Sequence, residues 1–213
     1  MTSEWGATKK HIPVLQEDVL SYLAVKPDGI YLDGTLGLGG HASAVQKQLS
    51  PKGLLVGFDG DEEAVRHCEK LLSPSCHLVQ APYDTFPQHL SSLTIQALDG
   101  MLLDLGMSSF QLDTPARGFA YRTEGPLDMR FDENGPTTAR QIINNWPVSE
   151  LKNLFKEAGE KRRASAIATA IAKARDSNPV YTTSDLTRII KSVVGDHAAT
   201  KTLSAFSRPS AWW

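Results

Sequence analysis

The chain has little to staple it and nothing to anchor it in a bilayer. Its two cysteines, Cys68 and Cys76, are separated by seven residues, and no second pair exists to complete a four-ligand metal site. No metal is therefore expected, and both thiols read as buried side chains. The longest apolar runs, such as Gly53-Leu54-Leu55-Val56-Gly57-Phe58, are far too short to cross a membrane. The start, Met1-Thr2-Ser3-Glu4-Trp5, lacks the basic segment and apolar stretch of a targeting leader. A membrane protein is thereby excluded and a cytoplasmic location expected, with a mitochondrial one left open for a eukaryotic chain.

Neither sign of charge dominates the 213 residues, which carry 22 Lys and Arg against 24 Asp and Glu. With 41% hydrophobic and 22% charged residues the composition is that of an ordinary globular chain, long enough to bury a core without covalent help. The charge is unevenly placed. Residues 1–150 carry a net −8 and residues 151–213 a net +6. A basic segment beside an acidic domain suits a polyanion, because phosphate attraction is local; a solvated helix face gives the same count.

From residue 29 to 104, short apolar runs alternate with helical stretches, as in a parallel sheet with crossover helices. Strands are predicted at Gly29–Asp33, Leu54–Asp59, Cys76–Gln80 and Leu98–Asp104, three of them ending on a carboxylate. Helices are predicted over Val14–Leu23, Ala42–Leu49 and from Asp61, whose acidic first turn suits a helix N-terminus. The strand signal then stops. A Gly- and Pro-rich connector, Thr114 to Pro136, precedes a helical remainder. Lys161 to Arg175 reads as one helix with Ala164, Ile167, Ala168, Ile171 and Ala172 on its stripe and Lys161, Arg162, Arg163, Lys173 and Arg175 largely off it. Thr182 to Asp185 reads as a cap before Leu186. The chain therefore divides near residue 112 into an α/β part, residues 1–112, and a connector with a helical part, residues 113–203. Residues 204–213 form a divergent tail.

The chemistry is concentrated in Asp33-Gly34-Thr35-Leu36-Gly37-Leu38-Gly39-Gly40-His41. A glycine loop between strand and helix lets backbone approach a ligand closely, since no Cβ blocks it. Asp59, twenty residues after Gly39, can accept both hydroxyls of a ribose. Nicotinamide enzymes and class I methyltransferases both use that device. Counted from Gly37, the third small residue of a dinucleotide fingerprint is Ala42. Asp33, directly before the loop, would repel a pyrophosphate and suits the ammonium and sulfonium of S-adenosyl-L-methionine. A methyltransferase is thus favoured over a dehydrogenase. Asp33, Asp59 and Asp104 should converge on the crevice at the carboxyl ends of the strands; the alternative for each is a turn or helix cap.

Seven runs carry a resemblance: His11-Ile12-Pro13-Val14-Leu15, Asp28 to Thr35, Gly39-Gly40-His41, Leu102 to Ser109, Gln111-Leu112-Asp113, Arg117-Gly118-Phe119 and Gly125-Pro126-Leu127-Asp128-Met129-Arg130. Over residues 11 to about 203 the chain resembles the ribosomal RNA small-subunit methyltransferase H family, also called MraW, and its mitochondrial relatives. The resemblance implies a class I, Rossmann-like α/β fold with an inserted all-helical domain. It also implies methyl transfer from S-adenosyl-L-methionine to N4 of a cytidine in the decoding centre of small-subunit rRNA, as RNA or assembled subunit. Cofactor contacts are implied at Gly39, Gly40, His41, Asp59, Tyr83, Asp104 and Gln111, beside the Asp33 and Gly37 of the loop. Tyr83 can stack on adenine and Gln111 can donate and accept at once. His41 has the alternative of a first-turn residue that satisfies the loop backbone.

Asp104 is the first candidate for holding the amine, with Ser108 and Ser109 as hydrogen-bonding candidates. The Asp/Asn-Pro-Pro-aromatic motif of related amino-methyltransferases is absent here, and Phe110 stands where bacterial members commonly have Pro, to stack on the base or only to pack. Arg130 is expected to meet phosphate or brace Asp128, and Lys161, Arg162 and Arg163 to contact the RNA backbone. A homodimer is one admissible assembly. The pattern ends with His197-Ala198-Ala199-Thr200-Lys201-Thr202-Leu203, beyond which the family's remaining strands have no counterpart, so a sheet incomplete at its C-terminal strands is expected. A catalytically inactive fragment that binds RNA or cofactor is the alternative to an active enzyme.

Overall fold

The computed structural model describes residues 13–206, with side chains to Leu203. His11 and Ile12 of the first family run, and most of the tail, lie outside the described residues. The chain divides into two compact units, residues 1–104 and 105–213.

The first unit alternates helix and strand. Its order is α1 (Gln16–Leu23), β1 (Ile30–Asp33), α2 (Gly40–Gln46), β2 (Leu54–Asp59), α3 (Glu62–Leu71), β3 (His77–Gln80), a 3-10 turn (Tyr83–Thr85), α4 (Phe86–Ser92) and β4 (Gly100–Leu102). All pairings are parallel and the strand order is β3-β2-β1-β4. Successive side chains of a strand face opposite ways, so each strand feeds two cores. Tyr31 and Leu55 pack with Leu36, Ala42, Val45, Val65, Cys68 and Leu72 on one face; Leu32, Val56, Phe58 and Leu90 form the core of the other. Burial on both faces explains why these strands read as continuous apolar runs.

The ends differ slightly from expectation. β4 is shorter than Leu98–Asp104 at both ends: before it the Asp99 carboxylate accepts Ile30 N at 2.9 Å and Lys26 Nζ at 2.8 Å, and after it Asp104 N turns to Thr35 Oγ1. Val14 and Leu15 precede α1 and are exposed rather than helical, Leu15 standing at φ 54°.

The second unit holds α5 (Ser109–Asp113), a 3-10 turn (Pro115–Arg117), α6 (Ala139–Asn145), α7 (Val148–Glu157), α8 (Ala164–Ser177), α9 (Thr183–Val194) and α10 (Asp196–Phe206). α7 packs on α8, α8 on α9 and α9 on α10. They enclose a separate core that includes Phe119, Leu127, Ile143, Leu151, Phe155, Ile167, Ile171, Leu186 and Ile190. Of the predicted stripe of α8, Ala164, Ile167, Ala168 and Ile171 are buried and Ala172 is half-buried. Thr182 caps α9 in a reciprocal box with Asp185.

The start of α8 is a correction. Gly159 (φ 97°) turns the chain after α7, and Lys161, Arg162 and Arg163 occupy the turn before α8 instead of its outer face. Among the described residues no helix is long and apolar enough to cross a membrane.

The connector is ordered by backbone pairing, not by regular structure. Leu127 N donates to Tyr181 O (3.0 Å), Thr183 N to Gly125 O (3.0 Å) and Met129 N to Arg117 O (3.1 Å). Arg117 is 5% exposed; its Nη2 donates to the carbonyls of Arg130 and Phe131, both at 3.1 Å, and its Nε lies 2.9 Å from Glu133 Oε1. Gly118 (φ 73°) is required here, since a Cβ would lie 2.1 Å from Pro126 O.

Candidate cofactor site at the strand ends

The order β3-β2-β1-β4 reverses direction beside β1, which places a switch point between β1 and β4. Ligands of open α/β sheets sit outside the carboxyl ends of the strands at such a point. At that end the structure brings together Asp33, the glycine loop, Asp59, Tyr83 and Asp104.

The loop is held by its acids. Asp59, at the end of β2, accepts Gly37 N at 2.8 Å through Oδ2 and Asp61 N at 2.9 Å through Oδ1. Gly37 (φ 49°) and Gly39 (φ 72°) are left-handed, a conformation that glycine adopts without strain. Thr35 is the link that sequence reasoning passed over. Its hydroxyl accepts Asp104 N at 2.7 Å and lies 3.5 Å from Asp33 Oδ1, tying the end of β1 to the end of β4. Only its place between two strand-terminal acids could have marked it.

Asp33 is the unusual group. It is 2% exposed; Oδ1 accepts Thr35 N at 3.0 Å, while Oδ2 is buried with no hydrogen-bond partner among the described residues. Burial pushes its carboxyl up, the Thr35 amide pulls it back, and the charges of Asp59 and Asp104 push it up again, to about 7. A buried carboxylate oxygen without a donor is costly unless a ligand supplies one. The ammonium of an amino-acid group has that chemistry, so the residues present fit S-adenosyl-L-methionine.

His41 lies buried in the first turn of α2, its Nε2 3.7 Å from Asp104 Oδ2. Asp104 is mostly exposed. Gly40 follows Gly39 at the start of α2, packed so closely that a Cβ would meet Pro13 Cγ at 2.3 Å. Tyr83 opens the 3-10 turn after β3, half-buried; a Cβ on Gly34 would lie 3.0 Å from its Cβ. Cys68 packs beneath the loop, its Sγ 3.7 Å from Gly37 O, and burial drives its thiol up to about 12. Among the described residues no cluster of His, Cys, Asp and Glu could hold a metal ion.

The other candidates belong to the second unit. Ser108 and Gln111 form a capping box on α5: Ser108 Oγ accepts Gln111 N at 3.2 Å and Gln111 Oε1 accepts Ser108 N at 3.1 Å. Ser109 is the first residue of α5, and Phe110 beside it is half-buried. Of the two roles open for Arg130, bracing Asp128 is the one observed: Nε meets Oδ1 and Nη2 meets Oδ2, each at 2.8 Å, while Nη1 reaches Gly135 O at 2.9 Å. The fork holds the Asp128 carboxyl below its usual range against the opposing effect of burial. Lys161 and Arg162 are exposed, and Arg163 Nη1 donates to Val194 O at 3.3 Å.

A parallel sheet in this order, with a glycine loop after β1 and acids closing β1 and β2, defines a Rossmann-like α/β fold of the methyltransferase class. The sequence comparisons agree: the MraW methylase family matches residues 8–208, and the chain belongs to that family. It is 46% identical over 205 residues to the ribosomal RNA small subunit methyltransferase H of Halothermothrix orenii, covering 92% of this chain and 66% of the relative. The relatives of the same name from Caldicellulosiruptor saccharolyticus and Geotalea daltonii are 42% and 41% identical, with the same two coverages. The chain thus spans just under two thirds of the length of these relatives.

Proposed function

We propose that the protein is an S-adenosyl-L-methionine-dependent methyltransferase acting on N4 of a cytidine in the decoding centre of small-subunit rRNA. The observation that carries the cofactor half is the buried Oδ2 of Asp33, without a donor among the described residues, beneath a glycine loop tied to Asp59. The names of its relatives support the RNA half.

When bound, the cofactor supplies an electrophilic methyl group on a sulfonium. Asp33 would accept the ammonium of its amino-acid end, and the Asp59 carboxylate, which holds the loop through Gly37 N and Asp61 N, would hold the ribose. Gly37, Gly39 and Gly40 would let the backbone close on it, Tyr83 would stack on adenine, and His41 would complete the contacts made by the first unit.

An exocyclic amine conjugated into a pyrimidine is a poor nucleophile, so the protein must align it and accept its proton. Asp104, an exposed carboxylate two residues beyond β4, would hold the amine and take the proton. On the second unit, Ser108, whose hydroxyl accepts the Gln111 amide and keeps its own proton to donate, and Ser109 would offer hydroxyls to RNA. Lys161, Arg162 and Arg163, with the remaining N–H donors of Arg130, would meet phosphates, which position RNA without reading its sequence.

Incubation with methyl-labelled cofactor and small-subunit RNA or subunits, followed by nucleoside analysis, tests the reading. N4-methylcytidine is the expected product. A folded chain that binds cofactor and RNA yet transfers nothing would replace this reading with that of a binding protein, the alternative that a chain spanning 66% of its relatives keeps in view.

A further inference from the structure

Within the second unit, one exposed arginine is committed to an aromatic ring instead of a carboxylate. The Arg140 guanidinium, at the start of α6, lies 4.4 Å from the centroid of the Tyr181 ring. Tyr181 is 47% exposed, so nearly half of it remains open to a ligand. Its backbone is pinned on both sides: its carbonyl accepts Leu127 N at 3.0 Å and its amide donates to Asp185 Oδ2 at 3.3 Å. Arg140 is held as firmly, its amide donating to Leu127 O at 2.6 Å. Among the described residues no carboxylate pairs with the Arg140 guanidinium, and Arg140 is exposed.

A second arginine–tyrosine pair lies in the connector. Arg122 lies 5.7 Å from the centroid of Tyr121, and the carbonyl of the next residue, Thr123, accepts the hydroxyl of Thr183 at 2.9 Å, two residues after Tyr181. The Gly125–Arg130 motif, read from sequence as a rigid connector, pairs with the same Tyr181–Thr183 segment through Leu127 N on Tyr181 O and Thr183 N on Gly125 O.

We propose that this junction is a binding platform for unpaired RNA: a nucleobase stacks on the open surface of Tyr181 while the Arg140 edge takes the adjoining phosphate. Single-stranded RNA fits because stacking on an aromatic needs a splayed base, which a duplex does not offer, and an arginine fork matches a phosphate. A rigidly presented ring loses little freedom when a base settles on it. The proposal rests on the RNA reading above and adds a subsite distinct from Lys161–Arg163.

The test is binding of the whole chain to a short unstructured RNA, the same sequence as a duplex, and polyglutamate, followed by anisotropy across a salt series. Y181A and R140A should each weaken single-strand binding about tenfold or more, a base-stacking effect by size. R140A should also lower the log–log salt slope by about 0.7, the loss of one phosphate contact. Y181F should bind as the parent does, and R140K should keep the salt slope but lose part of the affinity. Thermal melts of the conservative pair guard against misfolding. Parental binding by Y181A and R140A, equal losses on duplex and single strand, or a preference for polyglutamate would overturn the platform while leaving the methyltransferase reading intact. A parent chain that binds no RNA would overturn both.

Discussion

Replacing Asp33 with Asn should stabilise the ligand-free protein at alkaline pH while weakening its cofactor site. The carboxyl sits at about 7 in the fold against 3.8 in the open chain. Between those values the folded state holds a proton that the unfolded chain has released, so stability falls as pH rises and the loss is complete above about 7. The rise from 3.8 to about 7 corresponds to ~4 kcal/mol at pH 8, and less than half of it has accrued by pH 5. Asn keeps the acceptor for Thr35 N but buries an amide without a partner, at a cost of about 1–3 kcal/mol. The net gain at pH 8 is then about 1–3 kcal/mol. The difference between the gains at pH 8 and pH 5, about 2 kcal/mol, does not depend on the cost of the amide. Hydrogen exchange of the β1 and β2 amides reads this, since it reports on the first unit alone. A D33N gain that is flat from pH 5 to 8 would refute the reasoning. Calorimetry on the same variant should show cofactor affinity down about ten- to a hundredfold, the size of a charge-assisted bond.

D59N should retain an acceptor for Gly37 N but lose the paired ribose contact, and D59A should also release the loop, so calorimetry should rank affinity parent, D59N, D59A. G118A should destabilise the connector by about 3 kcal/mol or more, because φ 73° and a carbonyl 2.1 Å from the new Cβ both oppose it, and the melting temperature should fall accordingly. R130A removes the partner that keeps the Asp128 carboxyl low. That stabilisation is present above the ordinary carboxylate pKa and lost as pH falls through the depressed value, so acid titrations should show a shallower acid limb in the variant than in the parent.

The strand-terminal acids were legible because each closes an apolar run whose register with the sheet follows from burial on both faces. Asp33, Asp59 and Asp104 therefore come together as the alternation of strand and helix requires. Thr35 was not legible as a link, since its partners lie 69 residues apart in sequence at Asp104 N and two apart at Asp33. The cap at Thr182 is readable because the box states its own geometry, whereas the start of α8 carries no side-chain cap, so nothing in the sequence separates Lys161, Arg162 and Arg163 from the helix that follows. Arg117 was hidden for a different reason. An arginine in a Gly- and Pro-rich connector ordinarily reads as solvated, yet two backbone carbonyls and Glu133 pay for its burial.

The most direct test of the central claim is calorimetric titration of the parent chain and of D33N and D59A with S-adenosyl-L-methionine, with NAD as the competing cofactor. One site for S-adenosyl-L-methionine on the parent, weakened in both variants, and no heat with NAD is the predicted result. Binding of NAD in its place, or binding of S-adenosyl-L-methionine that neither substitution alters, would contradict the assignment of the strand-end site.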